Sequence, residues 1–297
     1  MGIYRFIEAT LMINKKGEII MNIVSVESRE TKIMNRLHEH LDEALQYFSA
    51  DRIVGIFLQG SQNYGLDYEG SDIDTKLIVT PSFEDIALNR APVSTTHVRE
   101  NDEHIDFKDI RLYMETFRKQ NLNFLEILFT PFMIINPRYE EEWFKLIERR
   151  EEIARMNEYR AVKSMKGIAL EKFHAMEHRY PSKADIIDKY GYDGKQVSHL
   201  IRVEDYLERY INGESYESCL HPTASKREEI MDFKLLDKYS LAEAQVRALE
   251  VKAHVEKIAD EFCEGRVDEE NKEIRALLES VQTEIMKISV RGELIHR

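Results

Sequence analysis

The chain has 297 residues, 43% of them hydrophobic, with only 12 glycines and 6 prolines, which argues for one large or two smaller helix-rich domains and against a sandwich or a disordered chain. A formal net charge of −13 argues against general nucleic-acid binding, which needs basic surface, while a local patch could still hold one RNA or DNA end. The two cysteines, Cys219 and Cys263, show no zinc or C-x-x-C spacing, and no stretch reads as a signal peptide or bilayer span, so reduced thiols in a cytoplasm are expected.

Residues 1–28 read as an N-terminal extension: a short strand or helix, or a stretch upstream of a start at Met21. Residues 31–48 place Ile33, Leu37, Leu41, Ala44, Leu45 and Phe48 on one stripe, which predicts a helix. Asp51 breaks that pattern and the apolar run 53–58 predicts a strand. A loop over 60–70, rich in Gly, Asn and Asp, leads to a second strand over 72–79 that stops before Pro81. Ser82 is placed to cap a short helix reaching Asn89. Two short strands, 93–99 and 104–108, flank a charged turn. A helix starting near Asp109 carries Ile110, Tyr113, Met114 and Phe117 on one face. Beyond Pro131 and Pro137 helical periodicity dominates, most clearly over 139–150, 159–178, 195–211 and 241–262, with a charged last helix near 269–288. The fold class expected is α+β: a small mixed sheet with helices on one side over 29–135, then an all-helical C-terminal domain over 136–297.

Residues 60–79 read GSQNYGLDYEGSDIDTKLIV and directly follow the first strand. Strand side chains alternate, so Asp72 and Asp74 share a face. Carboxylates that close repel unless a cation lies between them, and hard oxygen donors suit Mg²⁺. Gly60 lets the backbone approach a ligand, and Ser61 offers a hydroxyl and an amide. Together they suggest a seat for a nucleoside triphosphate. The bland alternative is a solvated Asp-x-Asp turn. Two-metal phosphoryl transfer needs a third carboxylate. Asp106, between Ile105 and Phe107, fits better than Asp109, which suits a helix cap, or Asp102, which suits a turn.

These residues carry a family resemblance. Gly60-Ser61, Asp72-x-Asp74 and a downstream strand with Asp106 resemble the DNA polymerase beta superfamily of nucleotidyltransferases. The segments GSQNYG at 60–65, SDID at 71–74, NFLEILF at 123–129, and Gly191-Tyr192-Asp193-Gly194-Lys195 with His199-Leu200-Ile201-Arg202 narrow it. They resemble the predicted nucleotidyltransferases associated with bacterial and phage RNA repair, over about residues 55–262. The resemblance implies a minimal polymerase-beta-like palm, a helical C-terminal domain, and transfer of a nucleotide from an NTP with Mg²⁺ or Mn²⁺. The acceptor is left open: an RNA end first, then a protein side chain or a small molecule.

In that frame Asp72, Asp74 and Asp106 are the expected catalytic and metal-binding set. Gly60 and Ser61 hold phosphates, and Lys76 either touches phosphate or pairs with a carboxylate. Lys195, His199 and Arg202 fall on one helix face that Asp193 could cap, a basic stripe suited to a triphosphate tail or an RNA phosphate. The alternative is a solvated stripe balanced by Glu204 and Glu208. Lys163 and Lys166 could extend it. Glu126, in an apolar setting, is expected in a salt bridge to one of these basic groups. Tyr64 either stacks on a base or is an ordinary loop tyrosine. His97, His174 and His221 show no ligand spacing. The rival functions are a non-catalytic nucleotide sensor and an antitoxin-like enzyme that adds AMP to a protein.

Overall fold

A computed structural model describes residues 28–236 and 238–295, together with the backbone of 7–13 and 19–25. The elements in chain order are β1 (Ile7–Ile13), β2 (Ile19–Ser25), α1 (Arg29–Ala44), β3 (Ile53–Gln59), β4 (Asp74–Val79), α2 (Phe83–Ala87), β5 (Ser94–Val98), β6 (His104–Asp109), α3 (Ile110–Arg118), α4 (Leu122–Leu125) and β7 (Met133–Ile135). The helices α5 (Glu140–Glu148), α6 (Arg150–Ala154), α7 (Glu158–Ala175), α8 (Ala184–Tyr190), α9 (Gly194–Ile211), α10 (Tyr216–Leu220), α11 (Ala224–Lys234), α12 (Leu241–Cys263) and α13 (Lys272–Ile295) follow. The chain is therefore α+β, with a small mixed sheet and a helical C-terminal region.

β1 and β2 form a separate antiparallel hairpin, so the first segment is strand rather than helix. The main sheet has the order β5-β6-β4-β3-β7. β4 and β6 run parallel, and the other neighbours are antiparallel. β3 and β4 lie inside the sheet and are buried along nearly their whole length, as strands covered on both faces are; β3 is apolar on both faces, whereas β4 carries Asp74 and Lys76 on one of them. β5, largely exposed, is an edge.

One face of the sheet presents Ile56, Leu77, Val79, Ile105 and Phe107 to Leu41, Ala44 and Phe48, from α1 and the turn after it. Fully burying such a side chain is worth about 1.5–3 kcal/mol. The opposite face receives α3 and the later helices, joined through Phe57, Ile78, Tyr113 and Trp143. Helices thus reach both faces, where the sequence suggested one. β7, too short to show a period, completes the sheet just before residue 136. The same apolar core continues into Val197, Leu200 and Val251, so the change at 136 is one of secondary structure inside a shared core. No helix among the described residues is long and apolar enough to cross a membrane.

The caps match their sequence signals. Ser82 forms a reciprocal box with Asp85, Asp109 accepts from the Arg111 amide, and Asp193 accepts from the Lys195 amide at 2.9 Å. α8, α10 and α11 escape a search by apolar period because they are short or bury few residues, Ile230 and Phe233 in the case of α11.

Candidate active site

The strand register sets the chemistry of the second face. Gln59 lies opposite Asp74 and Phe57 opposite Lys76 on β3 and β4. Lys76 lies beside Asp106, and Asp106 beside Thr96. Gln59, Asp74, Lys76, Asp106, Lys108 and Thr96 therefore share one side of the sheet. β4 begins at Asp74, so Asp72 precedes the ladder and is exposed. Burial raises the pKa of Asp72, and the neighbouring Asp74 carboxylate raises it further, against the pull of Lys195. The two carboxylates are near enough to act on each other, although Asp72 lies outside the strand whose alternation the spacing assumed. Asp74 Oδ1 accepts the backbone N–H of His104 at 2.8 Å.

Asp106 stands apart from that pair. It is level with Lys76 on the parallel β4–β6 ladder, a diagonal neighbour of Asp74. Thr96 Oγ1 donates to its Oδ1 at 2.6 Å, and Gln59 Nε2 lies 3.5 Å from Oδ2. Among the described residues no three Asp, Glu, His or Cys side chains converge as a ready ion cage. Asp72 and Asp74 fit a divalent ion by donor type and by their mutual repulsion; Asp106 does not complete a cage with them in this arrangement.

The Gly60 turn forms the next wall. Gly60 has φ 85° and ψ −159°, a conformation that any other residue would adopt only under strain. The turn over Ser61–Tyr64 is held by Asn63, which donates to the Leu58 carbonyl at 2.9 Å and accepts from Thr130 at 2.7 Å. Ser61 is half-buried and makes no side-chain hydrogen bond among the described residues. Glu126 is 4% exposed, and its Oε1 accepts the Gly60 N–H at 3.2 Å. Burial raises the Glu126 pKa, while the Lys76 and Arg202 charges and this hydrogen bond oppose the rise. No cation lies within ion-pair distance of it among the described residues. The expected salt bridge is thus replaced by an amide contact with more distant charges.

Lys76 is 4% exposed, donates to Gln59 Oε1 and lies 4.8 Å from the centre of the Phe124 ring. Burial lowers its pKa, opposed by Glu126 and Asp106. That position favours interaction with the carboxylates over an exposed phosphate contact.

α9 supplies the facing wall. Gly194 opens the helix, and a Cβ there would meet the Phe233 carbonyl at 2.1 Å. The missing side chain lets the end of α11 cross the start of α9, which brings Lys234 to Lys195 and Asp72. Lys195 is exposed. His199 lies deep in the fold yet keeps contact with solvent, as a cleft wall does; burial and then Arg202 hold its pKa well below the usual value. That shift favours the neutral ring, a hydrogen-bonding group in the stripe rather than a cation. Arg202 is 5% exposed, lies 3.6 Å over the Tyr64 ring, and leaves Nε and Nη2 without partners. Tyr64 is buried beneath that guanidinium and is not free to stack on a base.

Glu204 does not balance this stripe. It accepts from Lys226 at 3.0 Å, Arg247 at 2.7 Å and His254 at 3.0 Å, which ties α9 to α11 and α12. Lys166 pairs with Asp260 at 2.7 Å, and Lys163 lies over Tyr159, so neither extends the patch. Lys172 and Lys234, which sequence spacing did not single out, take that place beside His199. Lys234 donates to the Leu66 carbonyl; burial and then Lys195 push its pKa down to about 8. Only the glycine contact at 194 could have pointed to it. In a chain this acidic, Lys195, Lys234 and Arg202 have no carboxylate within 4.0 Å among the described residues; Lys195 and Lys234 act on Asp72, and Arg202 on Lys234. Unpaired cations facing paired carboxylates suit an anion that carries its own metal.

A cavity of about 760 Å³ lined by Arg155, Glu158, Arg266 and Glu270 shares no residue with this cleft. Its Glu270 is already paired with Arg118 and Arg160.

No family model and no curated protein matches the chain. Among solved structures, it is similar to a crystal structure of a nucleotidyltransferase-like protein from Exiguobacterium sibiricum 255-15, at 12% identity and a TM-score of 0.29, over 76% of this chain and 78% of that one. At that score the two folds share too little for one to speak for the other.

Proposed function

We propose that this protein is an Mg²⁺-dependent nucleotidyltransferase that moves an NMP from an NTP to a hydroxyl acceptor, an RNA end in the first instance, with release of pyrophosphate. The observation that carries it is the grouping of Asp72 and Asp74 with Lys195 and Lys234, and of these with Arg202, none of the three cations having a carboxylate within 4.0 Å among the described residues. Residues 29–135 would supply the carboxylates and 136–297 the cations. Asp72 and Asp74 would hold the ion, Mg²⁺ or Mn²⁺, whose chemistry when bound is to neutralise charge on the phosphates. Lys195, Lys234 and Arg202 would bind the triphosphate tail, with His199 donating or accepting a hydrogen bond. Gly60 and Ser61 would bring amide and hydroxyl donors to the phosphates, and the Glu126 contact keeps that turn in place. Lys76 would orient Asp106 and Gln59.

Asp106 would accept the proton of the acceptor hydroxyl. The acceptor oxygen then bonds to the α-phosphorus, and the bond to the pyrophosphate oxygen breaks in line. Incubating the chain with each radiolabelled NTP, Mg²⁺ and a mixed RNA pool tests this. Label should move to acceptor in the wild type and not in Asp72→Ala. Wild-type protein that transfers no label and releases no pyrophosphate would sink the proposal.

A second reading, a non-catalytic nucleotide sensor, is favoured by one observation: Asp106 is occupied by Thr96 and Gln59 and does not complete an ion cage with the acidic pair. Tight NTP binding without turnover would select it.

A further inference from the structure

Glu103, a carboxylate with no part in the chemistry above, sits behind the acidic pair on the α1 side of the sheet. It lies just before β6 and is 5% exposed. Its Oε2 accepts from His40 Nε2 at 3.1 Å and from Arg99 Nη1 at 2.9 Å. Its Oε1 is 3.4 Å from Arg36 Nε and accepts the backbone N–H of Ile73 at 3.4 Å. His40 is itself held by Thr75 Oγ1 at 2.9 Å. The network therefore grips the residue between Asp72 and Asp74 and the residue after them.

That grip matters because the ladder gives the segment no other support. The last β3–β4 pair is Gln59 with Asp74, so 71–73 runs on without a strand partner. The Ile73 side chain is fixed by Ile33, Leu37 and Leu58. Its amide is fixed by Glu103.

We propose that Glu103 is a positioning residue: held by His40, Arg36 and Arg99, it anchors the Ile73 amide and thereby sets Asp72 against Asp74. This rests on the reading of that pair as a divalent-ion seat. A purely structural role, bolting α1 to β6, would affect folding alone.

The full chain is titrated with Mn²⁺ alone, free ion being followed by electron paramagnetic resonance, and Tm is measured alongside. Glu103→Ala is expected to weaken Mn²⁺ binding about tenfold to a hundredfold. Glu103→Gln, which keeps an acceptor oxygen for the amide, restores most of it. Glu103→Asp keeps the charge but draws back from the amide; it should lose affinity like alanine and decides the matter if Glu103→Ala does not fold. Glu43→Gln, which breaks the 2.7 Å bridge between Arg99 and Glu43, should move Tm and leave Mn²⁺ binding alone. Folded Glu103→Ala or Glu103→Asp with a midpoint within about twofold of wild type overturns the proposal, since anchors of metal ligands act at tenfold or more. Wild-type protein that binds no Mn²⁺ overturns the ion seat itself, and this role with it.

Discussion

The two faces of the central sheet are built from the same strands and have opposite fates. Toward α1, Leu77, Val79, Ile105 and Phe107 pack into a dry layer. Toward α9, the intervening residues Asp74, Lys76, Asp106 and Lys108 carry charge, although helices cover that side as well. Burying charge is costly, and a face that keeps it beneath a helical layer is shaped by something other than stability. On the proposed function, the contrast separates residues that hold the fold from residues that serve the ligand.

Substitutions should divide along that line. The largest effect is expected at the acidic pair: Asp72→Ala should reduce label transfer by on the order of 10³-fold or more, as losing a metal ligand does. Its Tm should hold or rise, because the repulsion with Asp74 is removed. A matching fall in Tm would erase the distinction between the faces. Leu77→Ala, on the dry face, should instead cost about 2–5 kcal/mol in urea unfolding, since Leu77 is fully buried. Mn²⁺ affinity of the fraction that stays folded should not change.

Glu103 sharpens the comparison through pH. Burial alone would raise its pKa, but hydrogen bonds with His40 and Asn101 and the Arg36 charge outweigh it and hold the carboxyl at about 2, against 4.5 unperturbed. A depressed carboxylate stabilises the fold above its unfolded pKa. That contribution, on the order of 3 kcal/mol, should drain away as pH falls from 4.5 toward about 2. Unfolding curves of wild type and Glu103→Gln should converge across that window; parallel curves would show that Glu103 adds no acid sensitivity. The smallest effect is expected at Arg202. Arg202→Ala should raise the KM for NTP about tenfold to a hundredfold, the worth of a charge-assisted contact, with a lesser change in kcat. An unchanged KM would move the triphosphate tail away from α9.

Much of this was legible in order along the chain. The stripe of Ile33, Leu37 and Ala44 gives α1, and Ser82, Asp109 and Asp193 mark helix starts because a capping side chain acts on an amide two or three residues away. α11 was not legible, because it buries too few residues to show a period, and Lys234 went with it. The stacking of Arg202 on Tyr64 and the hold of Glu126 on Gly60 join residues 138 and 66 positions apart, and no spacing rule reaches that far.

The sequence by itself determined the alternation that sorts β4 and β6 into a dry side and a charged side, the helix periods and caps, and the glycine at position 60. Those depend on backbone geometry over a few residues. The tertiary structure alone decided which charges go unpaired: it drew Glu204 toward Lys226, Arg247 and His254, set Arg202 over Tyr64 and Lys195 near Asp72 without a carboxylate partner within 4.0 Å among the described residues, and held Asp106 against Thr96. Ion pairing is settled by distance in space, and only the packed chain fixes those distances.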